Sequence, residues 1–170
     1  MSLFTQPREV SDALGIPFSD QQLAAITGAT VRLVADAPFT TMVALGYPTM
    51  PDAADAMPAI LPFRPTAVEG MDRRIVDVVL RALGADAVPR LPEGDGWVFV
   101  ELVDDDRDAL AERAAGLLAA SACLDGEVVD DLSVAAALWK IRADGAGLAG
   151  VSLDRPAHAG WEDAAVPPAR

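Results

Sequence analysis

At 170 residues and 52% hydrophobic content, the chain is long enough for one domain with a core of ordinary size, and disorder is not expected. Its 26 acids against 13 bases give a net charge of -13 and a pI near 4.2. Such a surface repels phosphate backbones and anionic membranes, so nucleic acid is excluded as a partner. A single Cys123 excludes an intramolecular disulfide and a cysteine-based zinc site, and fits a reducing, cytoplasmic setting. No run approaches the roughly 18 apolar residues of a membrane span, and no basic stretch precedes an apolar one at the start.

Residues 1–27 read as a helical leader. A short helix over Arg8 to Leu14 stops at Gly15, and a second runs through Leu23 to Ile26 with Ser19 or Asp20 as its cap. From Ala29 to Val34 the text alternates and is rich in branched residues, as a strand should be. Thr40 to Tyr47 reads as the next strand. Asp52 is the expected cap of a helix through Ala53, Met57, Ile60 and Leu61, which Pro58 should kink or shorten. Thr66 to Asp72 forms another strand, and Asp72 opens a helix over Arg73 to Leu83 that Gly84 stops. Glu69 and Asp72 lack a histidine or a third ligand, so strand-end and cap roles are expected rather than acid-base or metal chemistry. After a loop rich in Pro and Gly, Trp97 to Val103 is the clearest strand and should lie centrally in its sheet. Asp104 to Asp106 cap a helix from Arg107 to Ser121, at whose positive end the acids sit favourably. A last strand, Gly126 to Asp130, precedes the helix that carries Trp139.

In that helix Val134, Leu138 and Ile141 face inward at i, i+4 and i+7, which leaves Arg142 at the border of the apolar face. A border arginine either lies over its own helix or points into a cleft. His158, the one histidine, sits in a loop without a partner acid or nucleophile nearby in sequence, and is expected to be idle.

Trp139-Lys140-Ile141-Arg142, a small-residue tail through Gly145 and Gly147, and then Gly160-Trp161-Glu162-Asp163-Ala164-Ala165-Val166-Pro167 resemble the cap (substrate) domain of FAD-linked oxidases. The likeness is to the glycolate oxidase and D-lactate dehydrogenase relatives of the vanillyl-alcohol oxidase superfamily. It implies a ferredoxin-like fold, FAD in the intact enzyme, and a substrate-binding role for Arg142 on the carboxylate of a 2-hydroxy acid. A planar, bidentate guanidinium suits that task. The chain departs from the pattern in three places. Where relatives carry a Ser-Glu-Gly-Thr-Leu-Gly segment against the flavin, Ser19 to Ala24 lack both glycines and the threonine. Where many carry a lysine before the residue matching Asp163, Trp161 and Glu162 stand. The downstream His-x-Gly-Asp-Gly-x-x-His segment, with its catalytic or metal-binding histidines, has no counterpart. The leader's Pro17-Phe18-Ser19-Asp20-Gln21-Gln22-Leu23-Ala24-Ala25-Ile26 also resembles the adenine-reading Q motif of bacterial superfamily-one DNA helicases. No phosphate loop follows it, so helicase activity is excluded.

The expected fold is therefore α+β: a ferredoxin-like antiparallel sheet covered by helices, an incomplete cap domain over residues 28–170. The expected function is that of a fragment of an FAD-dependent oxidoreductase acting on a glycolate-like or D-lactate-like acid. It has Arg142 as its one site residue, no catalytic or metal-binding residue of its own, and no flavin bound without the absent FAD domain. Self-association through an uncovered surface is expected as well. The competing class is a stand-alone ferredoxin-like module that binds a partner through its sheet or the Gly145-to-Asp154 loop.

Overall fold

Strands that are apolar on both faces belong in the middle of a sheet, and two such strands organise the molecule. The computed structural model describes residues 36–149, and every element named below belongs to the unit that begins at Ala37. Strand β1 (Phe39–Tyr47) pairs antiparallel with β3 (Gly96–Asp104), placing Val43 opposite Val100. Edge strand β2 (Ala67–Asp72) pairs with β3 and edge strand β4 (Asp125–Val129) with β1, both antiparallel. The order is β2-β3-β1-β4. The chain order of strands and covering helices gives the ferredoxin-like layout expected from sequence, with one extra helix between β2 and β3.

Alternation of side chains along the strands divides the core in two. One cluster joins Val43, Leu45, Tyr47, Val98, Val100 and Leu102 to Ala53, Ile60, Leu110, Ala114 and Leu117. These last residues come from helices α1 (Met50–Asp55), α2 (Met57–Ile60) and α4 (Arg107–Ala120), which cover the first face. The other cluster joins Met42, Ala44, Met71, Trp97, Phe99 and Val129 to Val76, Val79, Leu138 and Ile141, carried by α3 (Arg73–Leu83) and α5 (Leu132–Ala149) on the second face.

Most caps are where the sequence puts them. Asp72 accepts from Arg74 N at 2.8 Å, and Asp106 accepts from Asp108 N and Ala109 N at 2.8 and 3.1 Å. Gly84, at φ 88, ends α3 in a conformation that favours glycine. One cap differs. Thr49, not Asp52, is the N-cap of α1: its Oγ1 accepts from Asp52 N at 3.3 Å and donates to Asp52 Oδ2 at 2.6 Å. The helix starts earlier than expected because Pro51, with no N–H to lose and φ already set, suits its first turn. Pro58 breaks the segment as foreseen, with α2 and a short 3-10 turn (Leu61–Phe63) following α1.

The end of α5 is also a correction. Gly145 does not begin a tail or a partner-binding loop, but lies inside the helix, which runs to Ala149. A Cβ at Gly145 would lie 2.2 Å from Ile75 Cγ2, so glycine here lets α5 approach α3 closely. The leader helices, the strand over 29–34, the boundary at residues 27 and 28, and the segment with His158, Glu162 and Asp163 lie outside the described residues. Among the described residues no helix is long and apolar enough to cross a membrane.

Candidate functional site

Helix α5 starts at a built cap. Asp131 Oδ1 accepts from Ser133 N at 2.8 Å and Ser133 Oγ at 2.6 Å, and these bonds, the side-chain one first, hold the carboxyl below its usual range. From there the apolar stripe turns inward, leaving Leu138 and Ile141 buried at 0% and 1% exposure. Arg142 follows Ile141 by one position, about 100° around the helix, and its side chain is 54% exposed. Lys140 and Asp144 pair with each other at i, i+4 with 2.7 and 2.8 Å contacts.

The partner of Arg142 comes from a distant part of the sequence. Along β2, Met71 is buried on the face that α3 and α5 cover, and by alternation Glu69 points to the same side. Glu69 stands opposite Phe99 of β3. Arg142 Nε donates to Glu69 Oε2 at 3.2 Å, an ion pair between a helix and an edge strand that are 73 residues apart. Sequence reasoning singled out both residues but did not join them. Asp144, two residues on from Arg142 along α5, is taken by Lys140. The strand-end role expected of Glu69 thus includes an ion pair, and that of Asp72 is the cap.

Other polar groups are ties of the fold. Tyr47 OH donates to Ser121 O at 3.0 Å, and burial pushes the phenol up to about 12, so it holds its proton at ordinary pH. Arg113 Nη1 meets Asp104 at 2.8 Å, and its Nη2 donates to Val103 O. Among the described residues no group of His, Cys, Asp or Glu is gathered to hold a metal.

Among the described residues two of the surface clefts are well formed, and Arg142 lines neither. One of about 630 Å³ lies among Arg73, Val76, Leu80, Leu91, Asp95 and Trp97. The other, about 500 Å³, lies between Phe39, Arg107, Leu110, Asp130 and Leu132, with Arg107 over the Phe39 ring at 5.2 Å. Neither fits a flavin dinucleotide: acids stand at both, and Gly94, the glycine lining the first, sits so close to the Tyr47 backbone that a Cβ added to it would lie 2.4 Å from Tyr47 O. Close approach of a pyrophosphate needs open backbone N–H groups. Among the described residues Arg142 presents a half-exposed guanidinium whose Nε is bonded to Glu69.

Comparison with known proteins gives one result on the family. No curated protein matches the chain. A family model described as FAD linked oxidases, C-terminal domain, matches residues 37–170. The match begins where the described unit begins, just before β1, and takes in β2, α5 and the pair of Glu69 with Arg142. It favours an oxidoreductase part over a stand-alone binding module. This chain belongs to the C-terminal domain family of the FAD linked oxidases.

Proposed function

We propose that this chain supplies the substrate cap of an FAD-dependent oxidoreductase acting on a small 2-hydroxy acid of the glycolate or D-lactate kind, with Arg142 receiving the carboxylate. The observation that carries this reading is the guanidinium itself. It stands half in water on the helix whose wording resembles the family's substrate arginine, with its Nε bonded to Glu69. A planar fork of that kind matches a carboxylate in geometry as well as charge. The flavin belongs to the FAD-binding domain of such an enzyme, which is this chain's partner. The chain's own share is to bind and orient the acid, and its catalytic residues lie elsewhere.

Joined to an FAD-binding domain, Arg142→Lys keeps the charge but loses the fork. KM for glycolate or D-lactate should rise about tenfold to a hundredfold while flavin content is unchanged, as expected for one charge-assisted contact. Unchanged kinetics with both acids would sink the assignment. Alone, the purified chain should be colourless. Yellow protein that releases flavin on denaturation would show instead that the chain holds the cofactor itself.

The outer edges of β2 and β4 and the exposed Leu132 (71%) and Leu124 (58%) support self-association when no FAD-binding domain is present. A molecular mass that stays that of one chain at high protein concentration would refute it. A cytoplasmic location accords with the free thiol of Cys123. Labelling that found the protein outside the cell would overturn that part.

A further inference from the structure

We infer that Glu69 is the positioning residue for Arg142: it holds the guanidinium by the Nε side and so aims the opposite Nη edge at an incoming carboxylate. This rests on the reading of Arg142 as the carboxylate-binding group, and adds to it the part played by a residue on another element.

Arginine has five N–H donors in one rigid plane. The bond from Nε to Glu69 Oε2 at 3.2 Å uses the donor on the flank of that plane. Among the described residues Glu69 is the one hydrogen-bond partner of this guanidinium, so the end-on pair Nη1 and Nη2 makes no bond to them. A carboxylate accepted end-on takes two parallel N–H bonds from that pair, and Glu69 does not stand in its way. Because the guanidinium cannot bend, fixing the direction of Nε–H fixes the direction in which Nη1 and Nη2 point.

Both ends of the contact are anchored. Glu69 sits in the β2–β3 ladder opposite Phe99, two residues before the buried Met71. Arg142 follows the buried Ile141 and precedes by three residues Gly145, where α5 meets Ile75 and Val79 of α3. An acid beside the guanidinium also weakens its pull on an anion. With the two side chains 54% and 33% exposed, water screens much of that repulsion, whereas the aim given by the hydrogen bond remains. The position therefore needs the acceptor atom more than the charge.

That distinction sets the test. The full 170-residue chain, labelled with ¹⁵N, is prepared with Glu69, Glu69→Gln, Glu69→Ala and Arg142→Ala. The mobility of the Arg142 Nε–H group is read from its ¹⁵N relaxation, and glycolate is titrated as the probe. Glutamine keeps an acceptor and should leave Nε–H ordered and glycolate binding within about threefold of the parent. Alanine should release Nε–H and weaken glycolate about two- to tenfold, the effect of ordering one free long side chain, while the backbone amides of α5 do not move. Equal order in all three, or glycolate bound as tightly or more tightly by Glu69→Ala, would overturn the positioning role and make Glu69 a bystander or a competitor. Loss of α5 itself in Glu69→Ala would overturn it in favour of a purely structural contact. If Arg142→Ala binds glycolate like the parent, the carboxylate reading fails on its own, and the relaxation data still decide whether Glu69 orders the arginine.

Discussion

On the sheet face covered by α1, α2 and α4, several polar groups are tied within the chain. Tyr47 reaches the carbonyl of Ser121, the Ser121 hydroxyl reaches Leu118 O, and Arg113 is taken up by Asp104 and Val103. On the opposite face the indole of Trp97 is closed off in the same way, on Pro92 O at 2.8 Å. The rim there is different. Arg142 of α5 and Glu69 of β2 meet with much of both side chains in water. A ligand can therefore meet this pair without breaking the core, whereas to engage Tyr47 or Arg113 it would have to displace ties that hold the fold. On the proposed reading the binding chemistry sits at this charged rim between two anchored elements, and the tied groups of the first face hold the sheet that carries β2.

The contrast can be broken most severely through the core beneath the rim. Phe99 is fully buried on the second face and Leu117 on the first. Phe99→Ala should cost about 3–5 kcal/mol and Leu117→Ala about 2–5 kcal/mol in urea unfolding. A change of less than about 1 kcal/mol for either would mean that its face is not packed as described.

A smaller effect is expected where the helices of the second face touch. Gly145→Val drives a side chain into Ile75 and should cost about 1–3 kcal/mol. Ile75→Ala in the same chain should recover part of that loss, since the two sites share one contact. Two independent, additive losses would show that α5 does not lean on α3 at this point.

The smallest effect sharpens the first face. Tyr47→Phe removes one hydrogen bond and should cost about 1 kcal/mol. The folded phenol titrates near 12 against 10.0 when free of the fold, so its raised value stabilises the folded state below pH 10. That contribution is lost as pH rises from 10 through 12, because the unfolded chain gives up its proton first. In the phenylalanine variant this part of the alkaline decline should vanish. An unchanged decline would place its origin in other groups.

Much of the fold was legible because its signals are local. The apolar runs of β1 and β3 announce central strands, and Asp72, Asp106 and Gly84 mark helix ends by their own chemistry. Thr49 was passed over for Asp52 because both residue types cap helices, and only the extended backbone at Thr49 decides between them. Gly145 was taken for the start of a tail because glycine disfavours helix on its own, and its reason for being there lies across the gap, on Ile75. Half of the candidate site was legible. Arg142 could be named from its border position and its wording, but its bond to Glu69 depends on how β2 and α5 are folded together across 73 residues, which no local pattern contains.

The close seat of Gly145 on α3 has a bearing on the entropy of binding. Ile141 is immobilised on one side of Arg142 and Gly145 on the other, so the backbone beneath the arginine is already ordered before any acid arrives. With the side chain itself held by Glu69, an acid received there as proposed is spared about 0.5–1.5 kcal/mol for ordering that side chain, and also the roughly 1–2 kcal/mol that a loop would add for every backbone residue brought to rest. A small acid, with few atoms to contribute contacts, is the kind of ligand for which that saving decides whether it is held at all.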